Sequence, residues 1–350
     1  MEYLNLKSEY NDIKIEMDEA IHKVLDSGCF VGGEEVDKFE KEVATYCKTK
    51  YAISLSSGTD ALFLSLIAID VRGKEVITTP FTFVATAGAI VRAGGIPVFV
   101  DINENDFNID TDKIEEKITQ NTKAILPVHL FGKPCNMSKI MRLAKKYSIY
   151  VVEDAAQAFG SKNYDGKKIG SVGTIGAFSF YPTKNLACYG DGGMVVTNNK
   201  DLADKILLLK NHGSSPKSRY ESVIVGTNSR LDSIQAAILR IKLKHLKKQI
   251  DRRRENAKYY SVYLNQLFFA KSSYNQYTIR IKNRKKLRVN FPYQIYYPKP
   301  IYLMKAFEYL GYEKGDFPVT EKASEEVISL PLLITREKQD YVVRQLRDKI

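Results

Sequence analysis

The sequence contains no run of about 18 apolar residues, which is the length that a membrane-spanning helix needs. Its first residues lack the basic and then apolar pattern of a secretory signal. The cysteines Cys29, Cys47, Cys135 and Cys188 are scattered, without the spacing of a metal site or of a disulfide framework. These absences predict a cytoplasmic protein without a metal centre, because a reducing cytosol suits unpaired cysteines.

The length and composition are those of a globular protein. With 350 residues, the chain is long enough for one large domain and a smaller one. Its net charge of +12 is unevenly spread, because lysine and arginine cluster in residues 242–258 and 280–288. Three interpretations of these runs stay open: solvated helix and hairpin faces, attraction of an anionic substrate such as a diphosphate, or a nucleic-acid surface.

Apolar strands and helices alternate through the first part of the chain. The predicted strands are 51–55, 76–79, 97–101, 124–128 and 150–154, and the predicted helices are 12–28, 34–47, 60–69, 82–92 and 138–147. This alternation is typical of βαβ units, so we predict an α/β fold with a mostly parallel central sheet.

The pattern changes after the βαβ region. The later elements are a long basic helix at 233–264, strands at 276–281 and 294–297, and a closing helix at 336–348 that Thr335 would cap. We therefore predict a large domain over residues 1–235 and a smaller α+β domain over residues 236–350.

One lysine stands at a chemically suggestive place. An alternating strand at 177–181 is ended by Pro182, which delivers Lys184 into a turn. If burial desolvates this amine, the neutral form becomes available as a Schiff-base nucleophile. The alternative is a surface lysine at a strand end, which is the common situation for lysine.

Four further positions gain a common meaning beside this lysine. The segment Ser57-Gly58-Thr59 lies between a strand and a helix, where backbone N–H groups bind phosphate. Asp154 ends an apolar strand and needs a cationic partner if it is buried. Phe83 offers a ring for stacking, and Ser179 a hydroxyl. The alternatives are an ordinary turn, a solvated aspartate and a core aromatic residue.

Together, these groups form the set that pyridoxal phosphate requires. They supply a phosphate cradle, a carboxylate for the ring nitrogen, an aromatic stacking partner and a Schiff-base lysine. The combination is far more specific than any one of its members.

Five segments carry a family resemblance. They are Ser56-Ser57-Gly58-Thr59-Asp60-Ala61-Leu62, Thr82-Phe83-Val84-Ala85-Thr86, Glu153-Asp154-Ala155-Ala156-Gln157-Ala158, the Lys184 stretch with Gly190-Asp191-Gly192-Gly193, and Asn228-Ser229-Arg230-Leu231-Asp232. With them, nearly the whole chain resembles the sugar aminotransferases of the DegT/DnrJ/EryC1/StrS family.

The resemblance implies a fold type I, aspartate-aminotransferase-like enzyme that acts as a homodimer with shared active sites. It implies pyridoxal 5'-phosphate as cofactor, with pyridoxamine 5'-phosphate as an intermediate form. It also implies a nucleotide-linked keto-sugar, carried by UDP or dTDP, as one substrate and L-glutamate as the amino donor.

The resemblance also assigns the cofactor residues. Lys184 would hold the cofactor as a Schiff base and move the proton, and Asp154 would pair with the pyridine nitrogen. Gln157 would bind the phenolic oxygen, and Phe83 would stack on the ring.

The phosphate has its own set of expected partners. Gly58, Thr59 and Ser179 would hold it from one subunit. Asn228 would reach it from the other subunit, which places the active site at the dimer interface.

The substrate residues have open alternatives. Arg230 would grip a carboxylate of glutamate or of an acidic sugar, or else form an ion pair at the interface. His129 and His212 would line the pocket or make structural hydrogen bonds. Tyr297 lies in the segment 295–300, which resembles members that aminate C3 of a nucleotide-linked 3-keto sugar.

Two comparisons within the family refine the expectation. Some relatives carry His in place of the lysine and dehydrate the sugar, so Lys184 favours transamination. The pattern Asn211-His212-Gly213, Arg219-Tyr220 and Gly226-Thr227-Asn228 also resembles C3 members, while amination at C4 stays an alternative. A regulatory or nucleic-acid-binding protein is the rival from another class, supported by the basic runs only.

Overall fold

The computed structural model describes residues 1–215, 217–347 and 349–350, and for Arg219 it describes the backbone only. The strands are β1 Tyr51–Leu55, β2 Glu75–Thr78, β3 Ile96–Phe99, β4 Thr122–Ile125, β5 Tyr150–Asp154, β6 Ile175–Ser179, β7 Gly193–Thr197, β8 Ser214–Ser215, β9 Ser218–Ser222, β10 Tyr277–Arg280 and β11 Val327–Leu330. The α-helices are α1 Leu6–Asp12, α2 Lys14–Ser27, α3 Glu34–Cys47, α4 Gly58–Ala68, α5 Ala85–Arg92, α6 Met137–Tyr147, α7 Lys200–Leu209, α8 Ser233–Tyr263, α9 Pro318–Glu326 and α10 Arg336–Leu346.

A seven-stranded sheet forms the centre of the molecule, in the order β1-β7-β6-β5-β4-β2-β3. The pairs from β6 to β3 are parallel, whereas β7 runs antiparallel to both of its neighbours. β1 therefore points the same way as β6, and only β7 is reversed within this sheet. The prediction of an α/β fold with a mostly parallel sheet is confirmed.

Both faces of the sheet are covered by helices, which explains why its strands are continuous apolar runs. Successive strand residues point to opposite faces. Val151 thus packs in the cluster that contains α3, α6 and α8, while Val152 packs in the cluster with α4 and α7. In β6, Phe178 and Ala177 divide between the same two clusters.

Helix α8 joins the two halves of the chain. Leu239, Leu246 and Ile250 pack in the core beneath the large sheet. Further along α8, Ala257 and Tyr260 enter a separate core with β10, β11 and α10. The helix therefore crosses the predicted domain boundary near residue 235, and the division at that point stays a prediction.

Several sequence predictions differ from the structure. The segment predicted as a strand at 294–297 is not one, because only Gln294 forms a bridge, to Ser329. Thr335 stands at the N-cap of α10, but its side chain makes no capping hydrogen bond. The helix predicted to start at residue 82 begins at Ala85. The predicted end of the closing helix, Asp348, lies outside the described residues.

The remaining differences concern one helix start and elements that the sequence patterns leave unassigned. The helix predicted over residues 12–28 is α2, which begins two residues later because α1 ends at Asp12. The sequence patterns did not predict β7, α7, α9 or β11. Within the described chain, no helix combines the length and apolar character that crossing a membrane requires.

Candidate active site

The residues predicted to bind a cofactor gather at one edge of the sheet. Asp154 is the last residue of β5, and Ser179 is the last residue of β6. Gly58 starts α4, directly after β1. Parallel strands end at the same edge, and open α/β sheets bind their ligands there.

Glycine is required where the turn after β1 crosses the sheet. Gly193 at the start of β7 pairs with both Leu55 and Ser179, so it lies between β1 and β6. A Cβ atom on Gly193 would lie 2.2 Å from the carbonyl oxygen of Ser57. A Cβ on Gly58 would lie 2.5 Å from the Cβ of Ser179. The turn thus passes over β7 and rests against Ser179.

This turn ends in a helix start that suits an anion. The hydroxyl of Ser57 accepts a hydrogen bond of 3.1 Å from the N–H of Asp60 and caps α4. The first N–H groups of the helix have no partner within α4, because a helix leaves its initial donors unpaired. Together with the hydroxyls of Thr59 and Ser179, these donors fit a phosphate.

Asp154 is a buried carboxylate that forms no ion pair with an arginine or lysine among the described side chains. It is 4% exposed. Its Oδ2 accepts a hydrogen bond of 2.8 Å from Thr86 Oγ1, and its Oδ1 accepts one of 3.2 Å from the N–H of Ala156. Burial raises the pKa of Asp154, against the lowering effect of these bonds and of the Lys184 charge. The alternative of a solvated strand-end aspartate is wrong.

Lys184 lies close enough to Asp154 for the two charges to influence each other. Burial lowers the pKa of Lys184 to about 8, against the opposing effect of Asp154. The amine is therefore partly neutral at neutral pH, as a Schiff-base nucleophile requires. The alternative of an ordinary surface lysine is wrong.

Gln157 and Tyr297 form a pair beside Phe83. The side-chain oxygen of Gln157 accepts a hydrogen bond of 2.7 Å from the N–H of Phe131, and its Nε2 donates to the Tyr297 hydroxyl at 2.9 Å. The rings of Tyr297 and Phe83 are 6.3 Å apart. Phe83 is 56% exposed, so it is not a core aromatic residue. Its ring is available for stacking on a flat ligand.

His129 lies in the protein interior and is hydrogen-bonded there. The residue is fully buried. Its Nε2 is 3.0 Å from Oε2 of Glu153, and its Nδ1 accepts a hydrogen bond of 3.0 Å from the N–H of Cys135. Both ring nitrogens are thus occupied within the chain. This geometry supports the structural alternative rather than contact with a substrate.

The segment that carries Asn228 and Arg230 lies next to the phosphate turn. The hydroxyl of Ser229 is 3.0 Å from that of Ser56. Nη1 of Arg230 donates a hydrogen bond of 2.9 Å to Oδ1 of Asn211, while its Nε is buried without a partner in the described chain. Asn228 is exposed, so its amide is available for a contact outside its own chain.

His212 is exposed and belongs to the same region. Its N–H donates to the carbonyl oxygen of Thr227 at 2.9 Å, and its carbonyl accepts from Ser222 Oγ at 3.0 Å. Nothing in the described contacts brings the His212 ring to Asp154 or Lys184. His212 thus stands apart from the cofactor residues within one subunit.

The basic run 242–258 is not a uniform solvated surface. Lys242 is buried and pairs with Glu9 at 3.3 Å. Arg253 is also buried, and its Nη1 donates to the carbonyl oxygens of Tyr274 and Asn275. These two cations are internal. For them, a solvated face and contact with a diphosphate are both wrong.

Two important residues had no assigned role in the sequence interpretation. Thr86 holds Asp154, and Gly193 makes room for the phosphate turn. Thr86 stands in the motif 82–86, and Gly193 in the motif 190–193. The signal for Thr86 is a threonine four residues after Thr82, at the start of a helix that follows a strand. The role of Gly193 depends on strand order, which the motif does not reveal.

The residues present fit pyridoxal phosphate. A glycine-shaped anion cradle, a buried carboxylate and an amine with a lowered pKa lie at the same edge of the sheet. Among the described residues, no group of three or more histidine, cysteine or acidic side chains is placed to hold a metal ion.

Comparison with known proteins agrees with this geometry. The model of the DegT/DnrJ/EryC1/StrS aminotransferase family matches residues 11–347. The chain is 42% identical to the pleiotropic regulatory protein of Geobacillus stearothermophilus, with 99% of this chain and 97% of that protein covered. It is 41% identical to the dTDP-3-amino-3,6-dideoxy-alpha-D-galactopyranose transaminase of Aneurinibacillus thermoaerophilus, with 97% of each chain covered.

The fold is similar to that of NtdA from Bacillus subtilis, solved with bound cofactor PMP. The TM-score is 0.91 at 33% identity, and the alignment covers 99% of this chain and 84% of that one. The expected fold type I architecture is confirmed by this agreement together with the family match. Since the family model spans almost all residues and the relatives match over nearly their full lengths, the chain belongs to the DegT/DnrJ/EryC1/StrS aminotransferase family.

Proposed function

We propose that the protein is a pyridoxal-phosphate-dependent aminotransferase that converts a nucleotide-linked 3-keto sugar into the amino sugar, with L-glutamate as amino donor. The observation that carries the proposal is the amine of Lys184, with a pKa lowered to about 8, beside the buried carboxylate of Asp154. The overall exchange consumes glutamate and the keto-sugar and yields 2-oxoglutarate and the amino sugar.

Lys184 moves the proton in this proposal. When bound, pyridoxal phosphate supplies an electron sink for the carbon next to the transferred nitrogen. The Lys184 amine, once free, acts as general base and then as general acid, and its lowered pKa suits both roles near neutral pH. Proton transfer by one residue in both directions matches the two halves of a transamination.

Asp154 would keep the pyridine nitrogen of the bound cofactor protonated. Its carboxylate is buried and bonded to Thr86, so it keeps a fixed orientation. A pyridinium nitrogen would provide the cation that this carboxylate lacks in an ion pair. The raised pKa of Asp154 reflects a buried carboxylate whose charged form a nearby cation would stabilise.

The remaining cofactor contacts follow from the placement of the residues. Gly58, Thr59 and Ser179 would hold the phosphate at the start of α4. Gln157 would offer one Nε2 hydrogen to the phenolic oxygen, since the other is donated to Tyr297. The exposed ring of Phe83 would stack on the cofactor.

The active site is completed by a second subunit in this proposal. Asn228 is exposed, so its amide is available to another subunit. In a homodimer, the partner subunit's Asn228 reaches the phosphate of the first subunit. Arg230, whose Nε lacks a partner, then faces a substrate carboxylate.

The choice of C3 rests on the sequence pattern and on a relative. The A. thermoaerophilus protein is named for a 3-amino sugar, and it matches this chain over 97% of its length. The Tyr297 segment, which lies beside Gln157, points the same way. Amination at C4 is the alternative, and the nucleotide is either UDP or dTDP.

Dehydration of the sugar is a further alternative within the same chemistry. It is disfavoured because position 184 carries a lysine, which both holds the cofactor and returns a proton. A deoxygenated sugar product would favour it.

A regulatory or nucleic-acid-binding role is supported by the basic runs and by the name of the G. stearothermophilus relative. Against this role, Lys242 and Arg253 make contacts inside the chain. In the same way, Arg280 pairs with Glu326 at 3.1 Å. We therefore prefer a cytoplasmic enzyme that does not bind nucleic acid.

The experiment offers the purified protein glutamate and a panel of 3-keto and 4-keto sugars linked to UDP or dTDP. NMR of the product locates the new amine and identifies the nucleotide. We expect a 3-amino sugar together with 2-oxoglutarate. An amine at C4 would overturn the positional assignment. Salt-dependent DNA binding without any aminotransferase activity would overturn the whole proposal.

A further inference from the structure

The turn that carries Lys184 is held from behind by the C-terminal part of the chain. Nδ2 of Asn275 donates hydrogen bonds to the carbonyl oxygen of Thr183 at 3.0 Å and to Oδ1 of Asn185 at 3.3 Å. Nδ2 of Asn185 in turn donates to the carbonyl oxygen of Ser273 at 3.1 Å. Both neighbours of Lys184 are therefore attached to one short segment that lies far away in sequence.

The orientation of the Asn275 amide is fixed by its partners. The Thr183 carbonyl can only accept a hydrogen bond, so Nδ2 must face the turn. Oδ1 then points away, and it is buried without a hydrogen-bond partner in the described chain. A buried acceptor without a partner costs stability. An asparagine here therefore contributes its donors to the turn while its acceptor lowers stability.

The segment behind the turn is itself anchored. Arg253 of α8 donates from Nη1 to the carbonyl oxygens of Tyr274 and Asn275, at 3.2 and 3.3 Å. The N–H of Ser273 donates to Oγ of Ser161 at 2.9 Å. Asn275 is thus supported on both sides and can hold the turn in one position.

The turn has few bonds of its own near the lysine. The N–H of Lys184 donates to the carbonyl oxygen of Tyr181 at 2.9 Å, which closes one side of the turn. Thr183 and Asn185 depend on the C-terminal segment for the side-chain bonds described above. Without the Asn275 side chain, Thr183 would lose this bond to the segment, and Asn185 would keep only its bond to Ser273.

Gln276 provides an internal comparison. Asn275 and Gln276 are adjacent, each is 6% exposed, and each carries a buried amide oxygen that has no hydrogen-bond partner among the described residues. Of the two, Asn275 bonds to the lysine turn. The two residues therefore share burial and an unpaired acceptor but differ in the contact with the turn.

We propose that Asn275 is a positioning residue for Lys184, which holds Thr183 and Asn185 so that the amine stays desolvated and directed toward Asp154. This inference rests on the proposed role of Lys184 in transamination. The bonds from Asn275 to Thr183 and Asn185 couple the C-terminal segment to the reacting amine. A shift of that segment would move the amine directly.

The test measures the pH dependence of the reactivity of the Lys184 amine in the cofactor-free protein. Trace acetylation over a range of pH, followed by mass spectrometry, gives the pH at which Lys184 is half reactive. In the native sequence we expect this midpoint near the pKa of about 8. Asn275→Ala admits water to the turn, so the midpoint should rise toward the ordinary lysine value. Gln276→Ala should leave it unchanged.

A second variant protects the test against loss of folding. Asn185→Ala removes the bonds of Asn185 to Asn275 and to Ser273, leaves the bond from Asn275 to the Thr183 carbonyl, and should shift the midpoint in the same direction. Equal midpoints in the native protein and in Asn275→Ala would overturn the proposal. An equal shift in Asn275→Ala and Gln276→Ala would also overturn it, because general loosening would then explain both.

A kinetic measurement separates positioning from mere stability. In the loaded enzyme, Asn275→Ala should lower kcat by about tenfold or more with a smaller change in KM, because misplacing a reacting group slows the chemical step. Unchanged kcat would contradict the positioning role. Since the labelling experiment uses neither cofactor nor substrate, it stays decisive even if the aminotransferase proposal itself fails.

Discussion

Thr86 donates a hydrogen bond of 2.8 Å to the carboxylate of Asp154 and thereby links the first turn of α5 to the end of β5. Thr86 is in turn 3.1 Å from the hydroxyl of Thr82. All three side chains are buried. The orientation of the carboxylate is therefore set by the helix that also follows Phe83, so the ring-nitrogen partner and the stacking residue are positioned by one element.

Replacement of this carboxylate should abolish most of the activity. Asp154→Asn keeps the shape and the bond to Thr86 but removes the charge that holds the ring nitrogen protonated. We expect kcat/KM to fall by about 100-fold or more, in line with the loss of a preorganised electrostatic group. The measurement is steady-state transamination. Thr86→Val should cost less, and activity of Asp154→Asn near the native level would contradict the assignment.

Lys184→Ala should remove turnover and the visible absorbance of the lysine-bound cofactor together. Loss of the proton-transfer group alone accounts for about 100-fold to 10,000-fold. Lys168 offers a matched control, because burial also lowers its pKa to about 8 while its amine lies over the ring of Tyr46. Lys168→Ala should keep both properties. Transamination by Lys184→Ala would refute the proposed mechanism.

Gly58→Ala should weaken cofactor binding and stability together. The new Cβ would overlap Ser179, and such overpacking costs about 1–3 kcal/mol. Gly88 within α5 is the control, because a Cβ there meets no atom within 4 Å. Gly88→Ala should raise the free energy of unfolding by about 0.5–1 kcal/mol, since alanine favours helices. Thermal unfolding and cofactor titration of both variants test the contrast.

A buried lysine outside the active site should reduce stability at neutral pH. Lys133 is 4% exposed and lies between the rings of Phe107 and Phe269, at 4.7 and 4.5 Å from their centroids. Burial lowers its pKa from 10.5 to about 8. At pH 7 the folded protein therefore holds a costly buried ammonium, and Lys133→Met should stabilise it by about 1–3 kcal/mol.

The pH dependence of this gain has a defined sign. Between pH 8 and 10.5 the unfolded chain binds more protons at Lys133 than the folded chain does. The unfolding free energy of the native protein thus rises with pH relative to that of Lys133→Met. The stabilisation by Lys133→Met should be largest below pH 8 and should decrease above it. Denaturant unfolding at several pH values measures it, with the exposed Lys282→Met as the control. A constant difference would contradict the buried charge.

Local motifs made much of the candidate site predictable. Asp154 ends β5, Gly58 stands three residues after the end of β1 and Lys184 five residues after the end of β6, and a short pattern at each strand end already indicates the chemistry. Their meeting at one edge follows from the parallel sheet. The assignment of their roles stays a prediction that the variants above test.

Relationships over long sequence distances were not predictable. Asn275 bonds to Thr183 across 92 residues, and no local pattern around either residue indicates this contact. The burial of Lys242 and Arg253 was missed because a basic run resembles a solvated helix face. Only the packing of α8 against two separate cores shows which cations point inward.

The wrong strand at 294–297 has a simple physical reason. Its isoleucine and tyrosines favour a strand, but Pro298 and Pro300 follow and lack the N–H groups that extend a ladder. A single bridge from Gln294 to Ser329 is what forms. The side chain of Tyr297 contacts the Gln157 region instead, so this segment contributes to the site rather than to a sheet.

The reversed strand β7 also determines when the site can exist during synthesis. The turn at Gly58 and the hydroxyl of Ser179 come together only across Gly193, which β7 supplies. A nascent chain that has not yet released residues 193–197 from the ribosome holds β1 and β6 without the strand between them. Capture of the cofactor phosphate therefore reports that the large sheet is complete, and it would distinguish chains that have released β7 from shorter ones.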